Sequence, residues 1–276
     1  MRTAFRRLRF GLATLVGPTA RGFFIPYRYA AGIDPSPGYP ALRPLFEVAR
    51  PAFRDVLDAI EGYAPALGAI ARGAGPARFD QDWFPGLDAA AAYAILRRER
   101  PRRVVEVGSG HSTRFMAQAV TDGALDTQIT CIDPAPRASL SRLAVHHVPA
   151  LLQQADPAPV AALDEGDVLF IDSSHIAMPG TDVDRLFLDL LPRLRPGVLV
   201  HVHDIALPDA YPAAWAWRGY NEQLLVGALL QGGAYDLVFA SHYVARHLLA
   251  DGRTGILAQV APPGGAPETS LWLRKR

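Results

Sequence analysis

From about residue 86 onward, short β-branched and apolar runs alternate with stretches whose apolar positions recur every three to four residues. The runs predict strands at 103–107, 127–133, 143–148, 167–172, 198–203, 235–244 and 270–275. The periodic stretches predict helices at 87–98, 112–121, 181–194 and 221–230. In the helix at 181–194, Leu186, Phe187, Leu190, Leu191 and Leu194 form an apolar stripe, and Thr181 with Asp184 makes a start like a capping box. Near-continuous apolar strands between helices read as a parallel sheet covered on both faces. The expected fold class is therefore α/β: a doubly wound, mostly parallel, Rossmann-like sheet. Residues 1–85 differ, being rich in Pro, Gly and Arg, and are expected to form a helical extension to a domain spanning 86–276. Their one clear helical pattern runs over 42–70, with Leu45, Val48, Phe53, Val56, Leu57, Ile60 and Tyr63 at helical spacing and a kink or break at Pro51. The segment 22–29, G-F-F-I-P-Y-R-Y, has no clean period and reads as an ordered loop or an interface piece.

Ligands of such sheets sit beyond the carboxyl ends of the strands, near the point where strand order reverses. The first strand runs into 106–113, E-V-G-S-G-H-S-T. Gly108, Ser109 and Gly110 permit a tight turn and close backbone approach, and the helix that follows offers free N–H groups to an anion. Ser112 and Thr113 are placed to cap that helix or to donate a hydroxyl to the ligand. A dinucleotide loop would carry a third glycine or alanine where Thr113 stands, and Glu106 at the strand end suits a ligand with a cationic amino group. These features move the reading from NAD towards S-adenosylmethionine (SAM), whose methionine carboxylate would be the anion. The second strand ends at Asp133, at the distance from Gly108 where a carboxylate accepts ribose hydroxyls. The plainer alternative for Asp133 is a loop residue capping the next turn.

The fourth and fifth strands end in carboxylates and imidazoles: Asp172 with His175 three residues on, and His203 with Asp204. In a parallel sheet these groups share an edge with the 106–113 loop. Asp172 would border the cofactor and, with His203 and Asp204, make a divalent metal site. His175, titrating near neutrality, is the candidate general base. Strand alternation puts His201 on the same face as His203 but deeper, where a satisfied core histidine is the simpler reading. Asp204 is open to a reading as a turn cap.

Together these motifs resemble class I SAM-dependent methyltransferases. More narrowly, they resemble a bacterial group reading E-x-G-S-G-x-S-T, F-I-D-S-S-H, H-x-H-D-I and Y-N-E-Q, matched here at 106–113, 170–175, 201–205 and 220–223. The resemblance covers 86–246 and is specific for the superfamily rather than for a substrate. It implies a metal-dependent small-molecule O-methyltransferase with an acidic ligand at Asp172, the base at His175 and further ligands at His203 and Asp204. His203 departs from the carboxylate such enzymes carry there, so the expected ion (Mg, Mn or Fe) is left open. Two rivals stand beside this reading: a non-heme iron type of enzyme on the same fold, and a SAM-binding or assembly protein without catalysis.

Composition bounds the picture. The 276 residues, half of them hydrophobic, suffice for one sizeable core, and a net charge of +1 gives no case for nucleic acid as a partner. The lone cysteine, Cys131, reads as a small buried hydrophobe and allows no disulfide within the chain; the expected location is the cytoplasm. No run approaches the length of a membrane span. The basic, partly apolar N-terminus is expected to dock on the protein, with peripheral membrane contact as the alternative. A homo-oligomer is also compatible with the sequence. The aromatic loop 207–222 is placed either to wall the acceptor pocket or to serve as packing or an oligomer interface. Asn221 reads as a helix cap, Glu222 as a first-turn acid favourable to the helix dipole, and Trp83–Phe84 as core or a cover over the cofactor edge. His111 is expected to pack over the cofactor or face solvent; His146, His147, His242 and His247 have no evident partners.

Overall fold

The computed structural model describes residues 2–33 and 37–276. Among the described residues five α-helices precede the first strand: α1 (Arg2–Val16), α2 (Arg43–Val48), α3 (Arg50–Gly62), α4 (Ala64–Ala71) and α5 (Gly86–Glu99). The helix expected over 42–70 is thus three helices. Pro51 and Pro65 lack the N–H that would continue the ladder, and each stands at the second position of a new helix. Then come β1 (Arg103–Val107), α6 (His111–Asp122), β2 (Gln128–Ile132), β3 (His146–Val148), α7 (Ala158–Ala161) and β4 (Val168–Ile171). The last third holds α8 (Asp182–Arg185), β5 (Leu199–Val202), α9 (Glu222–Gln231), β6 (Tyr235–Ala240), α10 (Ser241–His247), α11 (Gly255–Gln259) and β7 (Leu271–Lys275). The Thr181 hydroxyl caps α8 by accepting the Asp184 N–H, and the helix runs on as a π turn over Leu186–Leu190. The strand expected over 235–244 ends at Ala240, and α10 takes its last residues.

The seven strands lie in the order β3-β2-β1-β4-β5-β7-β6, with β7 antiparallel to both neighbours. This is the expected doubly wound, mostly parallel sheet. Strand order reverses between β1 and β4, so the ligand crevice is expected beyond their carboxyl ends. One hydrophobic core joins the sheet to the preceding helices, with Phe46, Phe53, Val56, Ile60 and Leu67 in the same cluster as the strand residues. Among the described residues no helix is long and apolar enough to cross a membrane.

Register decides what reaches the rim. Cys131, Glu106, Phe170, His201 and Trp272 are paired across β2, β1, β4, β5 and β7. They form one lateral row and point to one face. Side chains alternate along a strand, so the next row on that face lies two residues on: Asp133, Gly108, Asp172 and His203. The deeper row is core. Phe170 and His201 stack at 3.6 Å between ring centres, and His201 faces the Ser270 hydroxyl at 2.9 Å through Nε2. Burial first, and then His203 beside it, hold the His201 pKa well below its ordinary value, so it is a neutral core imidazole.

Candidate active site

The rim row opens on a cavity of about 760 Å³, bounded by the loops after β1, β2, β4 and β5. Gly108 has φ +85°, and a Cβ added there would run into the Asp172 carbonyl oxygen. Glycine is therefore what lets the first loop cross the end of β4. Ser109, Gly110, His111 and Ser112 line the cavity at the start of α6.

Glu106 and Thr113 behave differently from the expectation that they touch the ligand. Both are fully buried beneath the loop, and neither lines the cavity. The Glu106 carboxylate accepts the hydroxyls of Ser112 and Thr113, each at 2.6 Å, and the Cys131 thiol at 3.3 Å. Thr113 Oγ1 in turn accepts the Gly110 N–H at 2.9 Å. The physical reason lies in the register: Glu106 belongs to the deeper row, one pleat below the rim. It fastens the loop to the helix instead of facing a ligand cation. Burial pushes its pKa up to about 7, against the lowering effect of the three hydrogen bonds.

Asp133 does line the cavity. It accepts Ser109 Oγ and the Ala135 N–H, both at 2.8 Å, which leaves lone pairs for further donors. The Ser173 hydroxyl, also on the cavity wall, is buried with no hydrogen-bond partner among the described residues. These groups and the open glycine turn fit a ligand bearing hydroxyls and a carboxylate. Trp83 and Phe84 both line the cavity; Trp83 is half exposed, under the Arg137 guanidinium at 3.8 Å, and Phe84 beside it is buried. His111 also lines the cavity; burial, then Arg114 and Arg137, lower its pKa.

The quartet expected at the ends of β4 and β5 does converge. His175 Nε2 lies 3.4 Å from both Asp172 and Asp204. His203 Nδ1 lies 3.4 Å from Asp172 and 3.6 Å from Asp204. His203 Nε2 reaches 3.5 Å from Asp88, a fully buried α5 residue that accepts the backbone N–H groups of Thr269 and Ser270. His175 and Asp204 hold φ of +60° and +56°, a left-handed conformation rare for residues with a side chain. The His175 carbonyl accepts the N–H groups of Asn221 and Glu222, which pins the turn.

Glu222 is the residue the sequence concealed. Its carboxylate is fully buried and lies 2.9 Å from His175 Nδ1, so it does more than favour the helix dipole. Asn221 caps no helical N–H with its side chain; its Oδ1 accepts the Ala177 N–H at 2.6 Å instead. The shared Y-N-E-Q segment was the available signal, but nothing in it says which way Glu222 points.

The charges explain the protonation states. Burial works against charged His175, yet Asp204, Asp172 and Glu222 outweigh it and hold the pKa well above the ordinary value. His203 is raised in the same way by Asp172 and Asp204, against burial. Burial also opposes the Asp172 carboxylate, but His203 and His175 hold it well below the usual range. The surrounding carboxylates thus shift His175 upward from the ordinary imidazole value that its residue type alone implied.

The expected metal ligands Asp172, His203 and Asp204 form no metal centre here. Among the described residues no group of three or more His, Cys, Asp or Glu is disposed to hold an ion. His175 Nε2 and His203 Nδ1 each lie within ion-pair reach of both Asp172 and Asp204, so these four groups pair with one another.

The loop after β5 supplies the remaining wall. Trp215, Arg218 and Tyr220 line the cavity, with the Tyr220 ring 4.7 Å from that of His175 and the Arg218 guanidinium over Trp215 and Tyr220. Two histidines thought partnerless have partners: His147 Nε2 lies 2.8 Å from the Asp133 carbonyl, and His242 Nε2 lies 3.1 Å from Asp209.

Residues 105–205, just over a third of the chain, match the family model described as a methyltransferase domain. Among solved structures the chain is similar to the SAH-bound methyltransferase PaMTH1 of Podospora anserina, at 13% identity over 92% of this chain and 99% of that one, TM-score 0.44. It is also similar to an SAH-bound O-methyltransferase of Bacillus cereus, at 14% identity over 79% and 91%, TM-score 0.40. A third is the O-methyltransferase TomG of Streptomyces achromogenes in complex with SAM, at 20% identity over 53% and 69%, TM-score 0.35. A search of curated proteins finds no match.

Proposed function

We propose that this chain is a SAM-dependent methyltransferase that methylates an oxygen of a small-molecule acceptor, with His175 as the proton acceptor. The observation that carries the reading is one shared rim: the open Gly108 turn, Asp133 and His175 all line a single cavity. The methyltransferase-domain match over 105–205 supports it independently.

SAM supplies, when bound, a methyl group on a positively charged sulfur. The start of α6 offers N–H groups to its carboxylate, and Asp133 offers lone pairs to its ribose hydroxyls. Glu106 and Thr113 act one layer below, holding the loop in shape. With Nδ1 donating to Glu222, His175 presents Nε2 to the acceptor hydroxyl. Taking that proton leaves the acceptor oxygen free to receive the methyl group, and Asp172, Asp204 and Glu222 stabilise the imidazolium so formed. The rest is positioning: Trp215 and Tyr220 hold an apolar acceptor body, and Arg218 offers donors at its edge.

The test pairs binding with turnover. The wild-type chain, given SAM and a panel of phenols, polyols and sugars, transfers the methyl group to at least one hydroxyl compound. His175→Ala lowers that turnover by roughly 10²–10⁴-fold while leaving SAM affinity unchanged. Full turnover in His175→Ala refutes the base assignment.

A further inference from the structure

Residues 2–33 contain six arginines and no acidic residue. In α1, Phe5, Leu8, Leu12 and Leu15 follow three- and four-residue spacing and so share one face. Arg6, Arg7 and Arg9 fall on the other side. The apolar face is more than half exposed among the described residues: Phe5 is 69% exposed and Leu12 52%, with Leu8 and Leu15 between these values. The contact this helix makes with the body of the protein is instead through Arg6, on its basic side.

The chain then turns back. The Arg21 N–H donates to Thr14 Oγ1, which brings the returning segment against the helix. That segment presents Phe23, Phe24, Ile25, Tyr27 and Tyr29, each more than half exposed. Nine large apolar side chains thus lie bare beside a set of arginines. Patches of this kind mark interaction surfaces.

We propose that residues 2–29 form an interfacial anchor that docks on an anionic lipid bilayer. A helix with an exposed apolar stripe, arginines on the opposite face and aromatics close by suits the boundary between head groups and acyl chains. Six arginines without one acid match a negatively charged surface. The Arg6 guanidinium lies over the Trp217 ring at 5.7 Å, in the same 3₁₀ segment as the cavity residues Trp215 and Arg218. Docking through α1 would therefore hold the cavity wall at the level of the lipid head groups.

The test is co-sedimentation of the full chain with vesicles of phosphatidylcholine alone and with vesicles of equal parts phosphatidylcholine and phosphatidylglycerol. Binding to the anionic vesicles is expected to exceed binding to the neutral ones by about tenfold or more, and to fall with added salt. Leu8→Glu with Leu12→Glu, and separately Arg6→Glu with Arg7→Glu and Arg9→Glu, should each abolish it while keeping the wild-type thermal transition. The arginine variant keeps the test decisive if the leucine variant fails to fold. Absence of anionic-vesicle binding by the folded wild type overturns the proposal, as does binding that both variants retain. A lipid-free oligomer that the leucine variant dissociates, with no vesicle binding, would assign the face to a second copy instead.

Discussion

His175 Nδ1 and Glu222 Oε2 lie 2.9 Å apart, both side chains buried, although 47 residues separate them in the chain. The same two residues are joined again by the Glu222 N–H, which donates to the His175 carbonyl. The first residue of α9 thereby fixes both the ring and the turn that carries it. Glu222→Gln keeps the shape and removes the charge. It is expected to lower kcat by roughly tenfold with SAM affinity unchanged. Losing one of the carboxylates that hold the His175 proton also moves the acidic limb of the kcat/KM profile to lower pH. A purely structural role would lower the melting temperature and leave that limb in place.

The wild-type profile itself has a predicted sign. Proton transfer needs neutral His175, and the carboxylates around it hold its pKa well above the ordinary value. Activity should therefore rise with pH beyond neutrality instead of levelling off near pH 7. A profile already flat at neutral pH would contradict the charge arrangement at the cluster.

Glu106 makes a stability prediction. Its folded pKa of about 7 lies above the ordinary 4.5, so the fold prefers the neutral carboxyl. The stability tied to that preference is complete below about pH 4.5 and is lost as pH rises through about 7. Glu106→Gln removes the dependence. Relative to wild type it should gain about 2–3 kcal/mol in unfolding free energy between roughly pH 5 and pH 8, measured by denaturant titration. Parallel pH–stability curves would show that Glu106 ionises freely in the fold.

Gly108→Ala should destabilise the chain by about 2 kcal/mol or more, because its Cβ meets the Asp172 carbonyl at a φ that only glycine adopts without strain. Thermal unfolding checks it. An unchanged melting temperature would mean that the loop has room to move away from β4.

Since Asp172, Asp204, His175 and His203 pair with one another, methyl transfer is expected to survive removal of divalent ions. Turnover by protein dialysed against a chelator should match that of untreated protein. Activity lost on chelation and restored by one added ion would restore the metal role expected from Asp172, His203 and Asp204.

The rim of the site was legible because its residues follow from strand periodicity. Asp133, Asp172 and His203 stand at strand ends, and a period of two puts them on one face once the strands are in register. The same rule puts Glu106 below the rim: two residues before Gly108 is one pleat deeper, and the sequence does not say where the rim begins. Glu222 was hidden because a long-range pair depends on how α9 docks, which no local pattern encodes. The overrun at 241–244 has a local cause. Apolar residues continue past Ala240 without a break in the pattern, but the chain has already left the sheet and turned into α10.

The claim on which the rest depends is that the cavity beyond β1 and β2 takes SAM through the Gly108 turn and Asp133, and isothermal calorimetry measures it most directly. The account predicts saturable binding of one SAM per chain, weakened about 5- to 100-fold by Asp133→Ala through lost ribose hydrogen bonds and untouched by His175→Ala. No binding heat from the folded wild type, or equal affinity in Asp133→Ala, would contradict it.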